Sequence, residues 1–325
     1  MIARLDFAPL DGITKRVFRR VWHAHFGGAD RYFVPFISPT DQHVITPRDR
    51  RELENPEGLP QVPQVMAKQA ADFVWAAEAL ADMGYEEVNL NLGCPSGTVT
   101  AKGKGSGLLM DPDRLDRFLD QVFSAARVPV SVKTRLGYHT PEEFPRLLEI
   151  FNRYPIACLT VHPRVRPEKY RGAVHMDLFA LAVAESKNPV CYNGDLTSVA
   201  GVRALEAQFP GLDAAMIGRG AIADPALLRR LRGGPASSKE ELQAFTQELY
   251  QAYQDFYGQS APDSQAAPAS QRMKEVWFYL IHLFENGERL GGRMRRSRGP
   301  RAYEELEARI FQELELLDAP QGELA

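Results

Sequence analysis

Val62-Pro63-Gln64-Val65-Met66 is a short apolar run, residues 70–83 follow with apolar side chains at helical spacing, and Val88-Asn89-Leu90-Asn91-Leu92 returns to strand character. A strand, a helix and a second strand in succession form a βαβ unit, and the question is whether the unit repeats. It does in both directions. Strand-like runs occur at 5–8, 32–37, 62–66, 88–92, 130–133, 159–162, 190–193 and 214–217, and helical patterns at 15–24, 70–83, 112–126, 141–154, 176–186, 198–209 and 225–231. Eight strand candidates separated by helices predict an α/β chain with a (β/α)8 TIM barrel. Only the second unit is ambiguous, because residues 38–61 are polar, contain prolines and resemble a long loop more than a helix. Asp111, Thr140 and Asp224 each precede a proline, which predicts three capped helix starts.

The alternation stops after residue 231, where Gly233, Gly234, Pro235, Ser237 and Ser238 make a linker. Helical patterns follow at 239–256 and 271–284, then a glycine- and arginine-rich turn and an acidic helix at 303–317. We therefore expect a barrel domain over 1–235 and an all-α helical domain over 236–325. Residues 258–270, rich in Ala, Ser and Pro, read as a loop between two of its helices.

Composition sets broad limits. Apolar residues at 44% and charged residues at 25% suit a globular protein, and no apolar run is long enough to span a bilayer. The N-terminus carries no signal-peptide pattern, so a cytoplasmic location without membrane contact is expected. Three cysteines without metal-ligand spacing support neither a disulfide framework nor a metal site. Cys158 and Cys191 lie in apolar runs and read as small buried hydrophobes. The net charge of −3 is unevenly spread: residues 271–301 hold 8 basic and 3 acidic side chains, and residues 302–325 hold 1 and 7. A local basic patch is implied, with Arg289, Arg293, Arg295, Arg296, Arg298 and Arg301 as candidate phosphate contacts.

In a barrel of this type, functional groups collect at the C-terminal ends of the strands. Here those ends carry Pro9 and Leu10, Gln64, Asn91 and Cys94, Lys133 and Arg135, His162, Asn193-Gly194-Asp195, and Gly218-Arg219-Gly220. Any one of them has an ordinary structural explanation; together they predict a polar ligand site. Glycines, backbone N–H groups and the Arg219 guanidinium after strands seven and eight suit a phosphate, while Gln64, Lys133 and Asn193 suit a flat heterocycle. A mononucleotide-like cofactor follows. Gly93 and Pro95 set Cys94 in a turn that presents its thiol, and Gly103, Gly105 and Gly107 read as bare backbone against which a ligand could lie.

The motifs Ala8-Pro9-Leu10-Asp11-Gly12-Ile13-Thr14, Asn91-Leu92-Gly93-Cys94-Pro95, Val132-Lys133-Thr134-Arg135-Leu136-Gly137, Val161-His162-Pro163-Arg164, Asn193-Gly194-Asp195 and Met216-Ile217-Gly218-Arg219-Gly220 fall in one order along the chain. In this the chain resembles the flavin-dependent tRNA-dihydrouridine synthases. The resemblance implies FMN as cofactor, with Pro9, Leu10 and Asp11 lining the flavin, Gln64 and Lys133 on its ring, His162 beside it, and Asn193, Gly194, Asp195, Gly218 and Arg219 at its phosphate. It further implies hydride delivery to C6 of a uridine, Cys94 as the proton donor to C5, Asn91 and Arg135 as uracil contacts, NADPH as reductant and tRNA as partner of a helical C-terminal domain; apart from the resemblance, a monomer is expected. Leu10, Pro163 and Val165-Arg166 depart from the family pattern, which usually has methionine, glycine and threonine at those places. The residues leave three readings open: dihydrouridine synthesis on tRNA, a flavin barrel reducing a free pyrimidine or another small enone, and a non-catalytic RNA-binding relative.

Overall fold

The computed structural model describes residues 2–258 and 266–324. Its centre is a closed barrel of eight parallel strands: β1 (Arg4–Phe7), β2 (Arg31–Ile37), β3 (Gln61–Val65), β4 (Val88–Leu92), β5 (Val130–Arg135), β6 (Leu159–His162), β7 (Val190–Tyr192) and β8 (Ala214–Ile217), paired in chain order with β8 returning to β1. The fold is therefore the predicted TIM barrel. Its outer ring comprises α1 (Arg16–His25), α2 (Pro47–Leu53), α3 (Ala70–Asp82), α4 (Gly97–Thr100), α5 (Pro112–Ala125), α6 (Phe144–Phe151), α7 (Met176–Glu185), α8 (Val199–Gln208), α9 (Arg219–Ala223) and α10 (Leu227–Leu231). Short 3-10 turns at Gly105–Met110 and Pro141–Glu143 lead into α5 and α6.

Local chemistry sets the helix starts. Asp111 accepts from the Arg114 N–H at 3.0 Å, and the Asp224 carboxylate accepts from the Ala226 N–H at 3.1 Å. At the third expected cap, Glu143 reaches back to accept from the N–H of Tyr138, His139 and Thr140. The second unit is a correction. Residues 38–61 are not all loop, since Thr46 accepts from the Asp49 N–H and Pro47 opens α2. The turn of α2 is only seven residues long and mostly polar, too short to show an apolar period.

At the N-terminal end of the barrel, Arg31 grips the fully buried Asp6 with two hydrogen bonds of 3.0 and 2.9 Å and reaches Glu87 at 2.7 Å. That end holds the barrel together; the opposite end is free for chemistry.

Four helices follow the barrel: α11 (Lys239–Gly258), α12 (Ala266–Leu280), α13 (Glu288–Arg296) and α14 (Gly299–Glu313). α11 lies on α1, where the Phe245 ring meets Phe18 at 6.1 Å and Phe26 at 5.0 Å, so the apolar core runs from the barrel into these helices. Truncating a buried ring in such a contact costs about 3–5 kcal/mol. Three expectations are corrected here. Of the supposed loop 258–270, residues 259–265 lie outside the described residues, but Ala266 already opens α12. The acidic helix begins at Gly299, four residues before the expected start at 303. The glycine- and arginine-rich turn is the helix α13: Gly291 sits where a Cβ would come within 3.0 Å of Ile281, so it is in the helix to let the two segments touch, not to bend the chain.

No helix among the described residues is long and apolar enough to cross a membrane.

Candidate active site

A cavity of about 350 Å³ opens at the C-terminal mouth of the barrel. It is lined by Pro9, Leu10 and Asp11 after β1, Gln64 from β3, Asn91 and Cys94 from β4 and its turn, and Lys133 and Arg135 from β5. His162 from β6, Asn193, Gly194 and Asp195 after β7, and Gly218 and Arg219 after β8 complete it. Every residue expected from the sequence at the catalytic, cofactor and uracil sites thus lines one cavity, which the arginines of 289–301 do not line. The strand period explains Lys133 and Arg135: two residues apart, they point to the same side of β5.

The turn that carries Cys94 is clamped on three sides. The Asn91 side-chain oxygen accepts from the N–H of Gly93 at 3.0 Å and of Cys94 at 2.9 Å. Arg135 Nε donates to the Gly93 carbonyl at 2.8 Å, and Ser106 donates to the Cys94 carbonyl from both its N–H, at 3.2 Å, and its hydroxyl, at 2.8 Å. The glycines beyond the turn serve this clamp. A Cβ on Gly105 would meet the Cys94 Cβ at 3.0 Å, and one on Gly107 the Thr100 carbonyl oxygen at 2.8 Å. The expectation that they leave room for a ligand is corrected: chain, not ligand, fills the space. Burial pushes the Cys94 thiol above its ordinary range, against the smaller opposing effects of the Ser96 N–H and of the Arg135 and Lys133 charges. The group is a neutral thiol at pH 7. Cys158 and Cys191 are fully buried in the barrel interior, as expected.

Lys133 has no hydrogen-bond or ion-pair partner among the described residues, and burial together with the Arg135 charge holds its ammonium down to about 7. His162 sits among the same cations, and burial first, then Arg135 and Lys133, push its imidazole well below the usual range. Arg164 Nη1 lies 3.2 Å from His162 Nε2. A guanidinium N–H can only donate, so Nε2 accepts and the neutral ring carries its proton on Nδ1.

At the rim, the Asp195 carboxylate receives the guanidinium groups of both Arg164 and Arg219, the latter at 2.6 Å. Asp195 itself has a φ of 43°, in the left-handed region. The Tyr170 ring lies between two cations, with Arg135 at 5.5 Å and Arg219 at 4.8 Å. Arg219 also donates to the Leu324 carbonyl at 2.5 Å.

Three groups were missed as site residues. Arg164 is 1% exposed and organises the rim, although it stands beside His162 in a motif already singled out. Tyr170 lines the cavity from the loop after β6, and Tyr279 reaches it from α12. Nothing in the spacing of an aromatic-rich helix marks one tyrosine as facing a barrel mouth. In the same helix, Arg272 donates to the Gly12 carbonyl at 3.3 Å and so ties α12 to the loop that lines the cavity. Lys274 donates to the Ser297 carbonyl at 2.9 Å, and Met273 is buried.

Among solved structures, the chain is similar in fold to morphinone reductase in complex with tetrahydroNAD, with a TM-score of 0.51, 13% identity, and 73% of this chain and 88% of that one covered. The old yellow enzyme from Trypanosoma cruzi gives 0.50 and 11%, over 73% of this chain and 90% of that one. Sequence relatives are nearer. A probable tRNA-dihydrouridine synthase of Rhodobacter capsulatus is 34% identical over 271 residues, covering 78% of this chain and 82% of the relative. The tRNA-dihydrouridine synthase B of Proteus vulgaris is 30% identical over 262 residues, covering 78% and 80%. Residues 6–278, from β1 into α12, match the sequence model of the family described as dihydrouridine synthase (Dus), and the chain belongs to that family.

Proposed function

We infer that the protein reduces the C5=C6 bond of uridines in tRNA to 5,6-dihydrouridine. The observation that carries this reading is the placement of a clamped, neutral thiol, Cys94, in the same cavity as the unpartnered Lys133. Family membership and relatives named for this reaction on tRNA support it.

The residues fit flavin mononucleotide. Lys133 offers an unpaired ammonium in a cavity whose deep wall also carries Gln64 and the neutral His162, all able to meet the edge of a flat ring. Gly194, Gly218 and Arg219 line the cavity after β7 and β8, where backbone and a guanidinium suit a phosphate. FMN bound here supplies the hydride for C6, with NADPH as the source of electrons.

The chain's own groups do the rest. Hydride addition at C6 leaves negative charge that the C4 carbonyl of the base accommodates, and C5 then needs a proton. Cys94 supplies it, and the raised pKa of the thiol keeps that proton in place until it is needed. Arg135 commits Nε to Gly93 and Nη1 to Val165, which leaves Nη2 for a base carbonyl. Asn91 commits its oxygen to the turn and keeps one amide N–H for the base edge. A uridine must leave its stack to reach this cavity. Residues 236–325 act as the helical domain that holds the tRNA.

The test is incubation of the purified protein with NADPH and unmodified tRNA, with dihydrouridine measured in the RNA. Dihydrouridine should accumulate with wild type and not with Cys94→Ala, although both bind flavin. Oxidation of NADPH with free uracil but unchanged tRNA would overturn the reading in favour of a small-substrate reductase.

A further inference from the structure

Beneath the cavity, four side chains form a single hydrogen-bonded line across three strands. Asn91 Nδ2 donates to Gln64 Oε1 at 2.6 Å, Gln64 Nε2 to Asn89 Oδ1 at 2.8 Å, and Asn89 Nδ2 to Ser131 Oγ at 2.8 Å. The strand register makes the line possible, because Gln64 is paired with Asn89 and Asn89 with Ser131 across β3, β4 and β5. Asn89 is fully buried and Ser131 is 1% exposed, and neither touches the cavity.

The direction of the line is fixed from its upper end. The N–H groups of Gly93 and Cys94 can only donate, so the Asn91 atom facing them is oxygen and its nitrogen must face Gln64. Gln64 therefore turns its oxygen to Asn91 and its nitrogen to Asn89, and Asn89 turns its nitrogen to Ser131. A buried polar line satisfied along its length acts as a unit, and loss of one member leaves its neighbour unpaired.

The geometry points to Asn89 and Ser131 as positioning residues that fix Gln64 and Asn91, and through Asn91 the turn that holds the Cys94 thiol. This deepens the proposed function and rests on its reading of Cys94. Three wild-type features support it: complete burial of the two lower residues, their absence from the cavity wall, and the continuity of the line to the Cys94 N–H. Shape alone would not require polar groups here, since Leu has the outline of Asn.

The experiment is alkylation of Cys94 by iodoacetamide as a function of pH in the protein as purified, which needs no tRNA and no turnover. Cys158 and Cys191 are buried, so the signal reports Cys94. Asn89→Leu keeps the volume and removes the hydrogen bonds; the loosened turn exposes the thiol, alkylation at pH 7.5 rises at least about threefold, and the midpoint of the pH profile falls. Ser131→Ala alone leaves Asn89 Nδ2 unpaired and shifts the rate in the same direction as Asn89→Leu by a smaller factor. Folded Asn89→Leu protein with the wild-type rate and midpoint would overturn the proposal. Should Asn89→Leu fail to fold, a wild-type profile in Ser131→Ala would do so. Because the readout is the thiol, a failure of tRNA reduction with the alkylation pattern intact would count against the proposed reaction and not against the line.

Discussion

Arg135 on β5 holds the Gly93 carbonyl at 2.8 Å, so the strand that lies beside the Cys94 turn also fixes it. Its Nη1 reaches Val165 at 3.2 Å in the loop after β6, and one guanidinium thus spans two loops of the mouth. Arg135→Lys keeps the charge but not the fork. It should lower stability by about 1–3 kcal/mol and reduce kcat for tRNA reduction, while flavin binding stays near wild type. Thermal melts and single-turnover rates test this; wild-type values in both would mean the two carbonyls need no common donor.

Gly105 provides a second check on the same turn. Its φ is 57°, and an added Cβ would stand 3.0 Å from the Cys94 Cβ and 3.1 Å from the Cys94 oxygen. Gly105→Ala should cost at least about 1–2 kcal/mol from the backbone conformation alone. It should also displace the thiol, so activity falls further than the melting temperature implies. An Ala variant with full activity would show that the turn has slack the contacts do not suggest.

The Lys133 ammonium gives flavin binding a pH dependence of definite sign. In the free protein, burial and Arg135 hold its pKa down to about 7. A flavin oxygen against Nζ favours the charged form, so the pKa in the complex lies above 7 and binding takes up a proton between the two values. Affinity is therefore highest below about pH 7 and falls as the pH rises through that window, by at most about tenfold per unit. Calorimetric titration of the apoprotein with FMN measures it, and Lys133→Met should be weaker and flat. Parallel pH profiles for the two proteins would remove Lys133 from the cofactor contact.

How far the sequence could be read depended on whether a signal was local. The βα alternation and the residues at strand ends are local, since a period of two places Lys133 with Arg135, and the end of β4 places Asn91 and the turn of Cys94 at the same mouth. What could not be read arises between elements. Gly291 looks like a turn residue until Ile281 is packed on it, and Gly105 like a ligand site until Cys94 is beneath it. Tyr279 lies far from the other cavity residues in the chain and reaches them from α12, whose buried face packs into the common core and whose Arg272 bonds Gly12. Likewise the line through Asn89 and Ser131 depends on a register that no single strand encodes.

The helix α13 sharpens the reading of the basic patch. Leu290 and Met294 turn inward, four residues apart, and Arg289, Arg293 and Arg296 fall on the opposite side at helical spacing. Arg289 pairs with Glu313 at 3.9 Å and Arg301 with Glu305 at 3.0 Å, whereas Arg293 and Arg296 are exposed and without an ion pair among the described residues. Arg298 is likewise exposed and outside any ion pair among the described residues, and Arg295 lies over the Phe278 ring at 5.7 Å, so Arg293 and Arg296 are the carboxylate-free pair that shares one side of α13. Arg293→Glu with Arg296→Glu should weaken tRNA binding and lower the slope of log affinity against log salt by about 1–2, as expected for losing one or two phosphate contacts. Reversing Arg289 and Arg301 instead should change the slope less, because their charges are already partly answered by Glu313 and Glu305. Flavin content and the Cys94 alkylation rate should be unchanged in both double variants. Equal slopes for wild type and the Arg293/Arg296 variant would place the tRNA on another face of the helical segment and leave the cavity chemistry untouched.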